Sequence, residues 1–457
     1  MPTSADGMMG GDAVSASAAG PVAEHEDVTC LGCGCACDDI VVRARGGRIV
    51  EARHACPLGQ AWFGDGGVPG RALSGGREVG AAAAAADAAR MLAGAARGAL
   101  VYLAPELSCE AQRQGAAIAD LLRAALDNVS SATVLGGTLA AQRRGRAAAT
   151  LGEVRNRADL VVYWGVDPAA RYPRYEERYA PRRAGRRVVA VDVGAHRGPE
   201  DAHERVAVDP AREADALALM RAAVKGGGAP AEAAGGWARD ALALAGRLTA
   251  ARYAVVVHDA EPPDDDDDAA AGPEDDAARA ARAEGLIALT QALNAGTRAA
   301  LSTLRGGGNR GGAESVMTWQ SGFPLGVDYA RGHPRYRPHD GALVLLERGE
   351  VDAALVLGAA ALVPARVLGA LARVRCAVVG PRASESALGA EVAVDTGVAG
   401  IHEGGLALRM DDVPLPLRAV LRAARPSAAE VARGIVGELK RRSAPRPAPM
   451  ESGQRSE

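Results

Sequence analysis

The sequence predicts an α/β protein in which a small N-terminal cysteine-rich β module precedes two parallel-sheet α/β domains. Three observations carry this prediction. From residue 77 onward, short apolar runs alternate with stretches of helical apolar spacing, the pattern of a parallel sheet covered by helices. An acidic run, Asp264 to Asp268, separates two halves of similar plan. Five of the seven cysteines fall between Cys30 and Cys56, around the turn signal Arg45-Gly46-Gly47-Arg48.

Residues 1–27 are small, polar and glycine-rich, the composition of a disordered leader. In the module 28–76, residues 38–44 alternate as a strand and residues 49–52 return after the turn, so a hairpin delivers Cys56. The first α/β domain, 77–250, has predicted strands at 99–103, 133–135, 160–164 and 188–193. Its helical patterns cover 81–97, 106–127, 138–155 and 211–225. The second domain, 251–440, has strands at 253–257, 299–303, 353–357 and 376–379, with helices at 277–294 and 364–373. Its insertion, 259–276, reads as a solvated acidic loop, and the tail 441–457 as disordered.

At 457 residues and 48% hydrophobic, the chain has ample material for buried cores. Its 53 basic and 56 acidic residues leave a formal charge of −3, so no overall field favours nucleic acid or an anionic membrane. No apolar stretch approaches the ~20 residues a membrane span needs, and the first residues lack a basic start followed by an apolar run. The expected compartment is the cytoplasm, whose reducing poise keeps cysteines as thiols.

Cys30, Cys33 and Cys37 are separated by two and three residues, and Cys56 follows after eighteen more, just before Pro57. Three thiolates on one turn with a fourth from a hairpin suit a [4Fe–4S] cluster. A structural zinc site and a metal-free remnant of such a motif remain the alternatives. Cys35 is expected to point away as a small buried side chain.

Four other groups are candidates. The glycine run Gly306 to Gly312, with Gly307, Asn309 and Gly311, either cradles a phosphate or pterin or is a plain connection. Gly165 and Asp167, at the carboxyl end of a predicted strand, either meet a ligand or close a turn. Arg331, His333, Arg335, Tyr336, Arg337 and His339 form either an anion passage or a contact with another protein of an assembly. His402 and Glu403 are an acid–base pair or part of a glycine-bounded loop. Cys109 reads as a small buried residue, and no hydrolase triad signature occurs.

The cysteine motif, the string from Trp319-Gln320-Ser321-Gly322-Phe323-Pro324 to Arg335-Tyr336, and Gly400-Ile401-His402-Glu403-Gly404-Gly405 together resemble the B-type subunit of formylmethanofuran dehydrogenase. The resemblance is greater still to the B-type homologue found in bacterial formyltransferase/hydrolase complexes of tetrahydromethanopterin-linked one-carbon metabolism. It implies a molybdopterin-oxidoreductase-like architecture. In the archaeal enzymes it implies one [4Fe–4S] cluster, held here by Cys30, Cys33, Cys37 and Cys56, and tungsten or molybdenum on two pterin nucleotides and a cysteine or selenocysteine. That last ligand belongs in the segment beginning Asp127-Asn128, where this chain has no cysteine and Thr133 stands nearest. A hydroxyl is a poor substitute for a soft thiolate, which argues against a tungsten or molybdenum pterin centre. The expected role is that of a redox-inert structural component, partnered by the other subunits of the complex and especially its hydrolytic A-type subunit. The alternative is a catalytic pterin protein interconverting carbon dioxide and formate.

Overall fold

The computed structural model describes residues 20–194, 198–227, 235–260, 276–422 and 424–443. Most of the expected leader, the acidic run and the tail from residue 444 lie outside them. The chain opens with strands β1 (Ala23–Val28), β2 (Ile40–Arg45) and β3 (Arg48–Arg53), then helix α1 (Pro57–Phe63). β1–β2–β3 form an antiparallel sheet. The expected leader 1–27 is therefore corrected: its last residues pair with the hairpin, because Val28 faces the module's core although Glu24 and Glu26 keep the strand polar overall.

Next come β4 (Ala72–Ser74), β5 (Arg77–Glu78), α2 (Ala81–Ala93), β6 (Ala99–Leu103), α3 (Cys109–Leu122) and β7 (Ala125–Asn128). They are followed by α4 (Ser131–Arg144), α5 (Leu151–Asn156), β8 (Leu160–Trp164), α6 (Pro168–Arg171) and α7 (Tyr175–Tyr179). β9 (Arg187–Val193), β10 (Glu204–Val208), α8 (Glu213–Val224) and α9 (Gly236–Ala250) complete the first half. The second half runs β11 (Ala254–Asp259), α10 (Asp276–Leu293), β12 (Ala299–Leu304), α11 (Arg310–Ser321), β13 (Val327–Asp328) and β14 (Arg335–Tyr336). It closes with α12 (Ala342–Glu347), β15 (Ala353–Leu357), α13 (Ala365–Leu371), β16 (Arg375–Gly380), β17 (Val392–Asp395), β18 (Gly405–Leu408), β19 (Pro414–Leu417) and α14 (Ala428–Ser443).

A five-stranded sheet has the order β10-β9-β8-β11-β12, parallel throughout. A nine-stranded sheet has the order β14-β13-β7-β6-β15-β16-β17-β4-β5, parallel from β7 to β17 and antiparallel at its edges. The division at 250/251 is thus corrected: β8 pairs with β11 and β6 with β15, so each sheet draws strands from both halves. Apolar period reports which residues are buried and not which strand lies beside which, so equal-looking halves read as consecutive domains.

The chain winds outward in both directions from β6/β15 in the larger sheet and from β8/β11 in the smaller. Such switch points leave crevices at the carboxyl ends of the strands. β6, β8 and β15 are buried along their whole length, as expected of strands covered on both faces.

Two further expectations fail locally. Residues 133–135 are helical within α4, and the strand is the short β7 instead. β7 escaped notice because half of it is polar: Asp127 accepts from the Ser131 hydroxyl at 2.8 Å and from Ala342 N–H at 2.6 Å, and Asn128 Nδ2 donates to the Pro324 carbonyl at 3.2 Å. The pattern 138–155 is two helices: α4 ends at Gly145, whose φ of +75° favours glycine, and α5 begins at a capping box of Thr150 and Glu153. Among the described residues no helix is long and apolar enough to cross a membrane.

Candidate functional site

The cysteine loop is held against the body of the protein from three sides. Cys30 N–H donates to the Cys37 carbonyl at 2.9 Å and closes the loop. The α7 region clamps it: Arg174 makes a bidentate pair with Asp39 at 2.8 and 2.7 Å, Arg178 reaches Asp38 at 2.6 Å, and the Tyr179 hydroxyl donates to the Cys35 carbonyl at 3.1 Å. The glycine run packs on its third side, where Gly308 N–H donates to the Leu31 carbonyl at 2.8 Å.

Cys30, Cys33, Cys35 and Cys37 are buried and Cys56 is half-buried, all as free thiols. The neighbouring cysteines add to the effect of burial on Cys30 and Cys37. Burial drives the Cys30 thiol far upward and the Cys37 thiol to about 11, against the pull of Arg178 and Arg174. Cys33 is pulled down, chiefly by a hydrogen bond from Cys35. Cys35 is fully buried, as expected of a small core side chain. Among the described residues, no three His, Cys, Asp or Glu side chains are disposed to hold a metal ion. The donor type suits a soft metal or an iron–sulfur cluster, but the described thiols are not gathered around one point.

Close packing fixes the loop's sequence. A Cβ on Gly32 would come within 2.7 Å of the Leu58 carbonyl oxygen, and one on Gly34 would overlap that of Arg305. We expect Gly34→Ala to cost about 1–3 kcal/mol and to expose the loop. Limited proteolysis checks it; cleavage within residues 30–37 no faster than in the parent would contradict this packing.

The glycine run is neither a phosphate cradle nor a slack connection. A Cβ on Gly307 would meet the Gly32 carbonyl oxygen at 2.8 Å. Asn309 is wholly buried: its Nδ2 donates to the Leu107 carbonyl at 2.9 Å, and its Oδ1 accepts from Leu408 N–H at 2.8 Å. Its own carbonyl accepts from Gln112 Nε2 at 3.0 Å. Gly311 lies in the first turn of α11, buried near Asp412 and Leu408. Asp167 is an N-cap whose carboxylate accepts from Ala169 N–H at 2.9 Å. Gly165, at φ +63°, ends β8 close to Arg282.

A cavity of about 910 Å³ opens at the carboxyl ends of β11 and β12, between them and helices α4, α10 and α11. Thr133 is on its wall with its hydroxyl turned to the Ser130 carbonyl at 3.0 Å. Arg143, Arg146, Arg279, Arg282 and Arg305 also line it, with Asp259, Glu314 and Asp412 on the acidic side. Arg305 pairs with Glu314, and Arg282 with the buried Glu213, whose Oε1 also accepts from Trp164 Nε1 at 2.7 Å. His258 lies within hydrogen-bond distance of Thr303 at 3.2 Å; burial, then Arg146 and Arg282, hold it down at about 4, so it is neutral. Among the described residues no cysteine lines the cavity, and the one sulfur there is the Met410 thioether. A pterin-bound metal in need of a soft anionic ligand does not fit this lining. Sequence reasoning missed His258 and the arginines; only His258, at the end of the apolar run of β11, and Arg305, just after β12, carried a signal, while Arg143, Arg279 and Arg282 lie within helices.

Of the remaining candidates, only His339 reaches the cavity. His402 accepts from Val398 N–H at Nδ1 (3.1 Å) and donates from Nε2 to the Gly66 carbonyl (2.9 Å), while Glu403 caps α14 through Ala428 N–H at 3.1 Å. Both side chains are occupied by structure, as the loop reading expected. Cys109 is buried, as read.

At the β6/β15 switch point, Glu106 is buried. One carboxylate oxygen accepts from Ala359 N–H, the other has no partner, and burial raises its pKa from 4.5 to about 7. The folded state therefore holds a proton that the unfolded chain releases. The resulting stability is full below pH 4.5 and fades as pH rises through 7. Glu106→Gln is expected to flatten the fall between these values by about 2–3 kcal/mol in denaturant titrations; an identical slope in the variant refutes this.

A hairpin module carrying the cysteines, and a cavity at the strand ends of the five-stranded sheet, belong to a mixed α/β protein whose two larger sheets each draw strands from both halves of the chain. No protein-family model matches the chain. It is 30% identical over 416 residues to the B subunit of the tungsten-containing formylmethanofuran dehydrogenase 2 of Methanocaldococcus jannaschii, covering 86% of this chain and 93% of that protein. To the protein of the same name in Methanococcus maripaludis it is 29% identical over 419 residues, covering 87% and 94%. Among solved structures it is similar to a chain of the formyltransferase/hydrolase complex of Methylorubrum extorquens in complex with methylofuran, with a TM-score of 0.65, 25% identity, and 81% of this chain and 99% of that one covered. The chain belongs to the family of formylmethanofuran dehydrogenase B subunits.

Proposed function

We propose that this chain is the B-type subunit of a formyltransferase/hydrolase complex in one-carbon metabolism, and that it is redox-inert, its part being to assemble with the other subunits and especially the hydrolytic A-type one. Family membership and the likeness to a chain of such a complex support the first half. The observation that carries the second is the cavity wall, where Thr133 stands and no thiol occurs. Carbon dioxide–formate chemistry belongs to a metal that the protein must grip, and a hydroxyl bound to its own helix's carbonyl supplies no soft ligand. The cysteine loop, clamped from three sides, keeps its structural task whether or not iron occupies it. A cytoplasmic setting fits the seven free thiols.

Elemental analysis of the co-purified complex tests this. The expected result is tungsten and molybdenum far below one atom per copy of this chain and no dye-linked formate oxidation. Stoichiometric metal with formate oxidation would establish the catalytic alternative.

A further inference from the structure

The string running from Trp319 to Tyr336 splits into two parts in the structure. Leu325, Val327 and Tyr329 are buried in the core of the larger sheet. Trp319, Arg331 and His333 do nothing within the chain: all three are exposed, Trp319 to 61%, and none makes a hydrogen bond or ion pair to a described residue. Tryptophan combines a large apolar face with an indole N–H donor, a combination enriched at protein interfaces.

These side chains share one corner. Trp319 occupies the last turn of α11, and Tyr329, which begins the turn carrying Arg331 and His333, lies in the same apolar core cluster as Met317 of that helix, with Phe323 packed against it. Beneath the corner, Phe323 stacks on Tyr336 of β14 with ring centroids 4.9 Å apart and planes 1° from parallel. β14 is the outermost strand of the nine-stranded sheet and pairs only with β13, which leaves one edge open. Arg335 pairs loosely with Asp328 at 3.7 Å and Arg337 is held by Asp328, Asp340 and Glu350, so Arg331 is the guanidinium at this corner that pairs with no described residue. The chain's overall charge of −3 speaks against a polyanion such as nucleic acid.

We infer that this corner is a docking surface for an acidic, extended segment of another protein of the complex, which lies along the open edge of β14, sets carboxylates against Arg331 and Arg335 and covers Trp319. The inference rests on the reading of the chain as one component of such a complex. Edge pairing supplies backbone hydrogen bonds, arginines select carboxylates, and a buried tryptophan is the residue type that anchors interfaces.

The test uses the tagged chain co-expressed with the other subunits of its complex, captured and washed in rising salt. Trp319→Ala and the double variant Arg331→Glu/Arg335→Glu are each expected to retain one of those partners roughly 30-fold less well, the scale of losing an interface anchor. The thermal midpoint of the Trp319→Ala chain should match the parent, because that side chain is not packed in the core, while the double variant, which gives up the Arg335–Asp328 pair, should fall modestly. A photo-crosslinking residue at position 319 in the otherwise unaltered complex should label an acid-rich segment of a different protein. Full retention in both variants, or a crosslink only to a second copy of this chain, overturns the inference while leaving the proposed membership of a complex intact. Failure of the unaltered chain to capture any partner would overturn that membership itself, and this inference with it.

Discussion

Glu213→Ala is expected to destabilise the protein by about 3–5 kcal/mol, the usual result of removing one partner from a buried ion pair. Glu213 begins α8, is buried against β8, and holds the Arg282 guanidinium with both oxygens while accepting from the Trp164 indole. Truncation leaves Arg282 without that bidentate carboxylate and the indole N–H without its acceptor, at the wall of the cavity. Glu213→Gln keeps an acceptor for Trp164 and should lose less. Urea unfolding followed by tryptophan fluorescence is the measurement; a loss below about 1 kcal/mol in the alanine variant would mean the pair is dispensable.

The second large effect is expected at Asn309. Asn309→Leu removes the acceptor of Leu408 N–H and the donor to the Leu107 carbonyl, both buried, at about 1–3 kcal/mol for each group left unsatisfied. One amide thereby ties α3, β18 and the glycine run together. The expected outcome is a loss of about 3 kcal/mol or more, seen in the same unfolding assay, with β18–β19 exchanging its amide hydrogens sooner than the sheets. Unchanged exchange there would show that the hairpin is held by other contacts.

Much of the fold was legible because parallel strands covered on both faces are continuous apolar runs. Ala99–Leu103, Leu160–Trp164 and Ala353–Leu357 could be bounded to the residue on that basis. β7 was not, since Asp127 and Asn128 are polar residues buried for their hydrogen bonds, and no period distinguishes a satisfied buried carboxylate from an exposed one. Gly307 announced close approach correctly in kind, whereas a Cβ on Gly311 would meet nothing nearer than 3.7 Å. That the approaching group is the protein's own backbone was invisible, because a glycine looks the same beside a ligand and beside Gly32.

The sequence by itself determined the α/β class, the hairpin that carries the cysteines, the absence of a thiol near Thr133, and the family through strings such as Trp319 to Tyr336. Those are properties of residue type and local spacing. Only the tertiary structure decided which half supplies which strand, where His258 and the cavity's arginines converge, and that Asn309 faces inward to a carbonyl. Pairing between β8 and β11, about ninety residues apart, depends on how long segments pack, and local spacing carries no record of that.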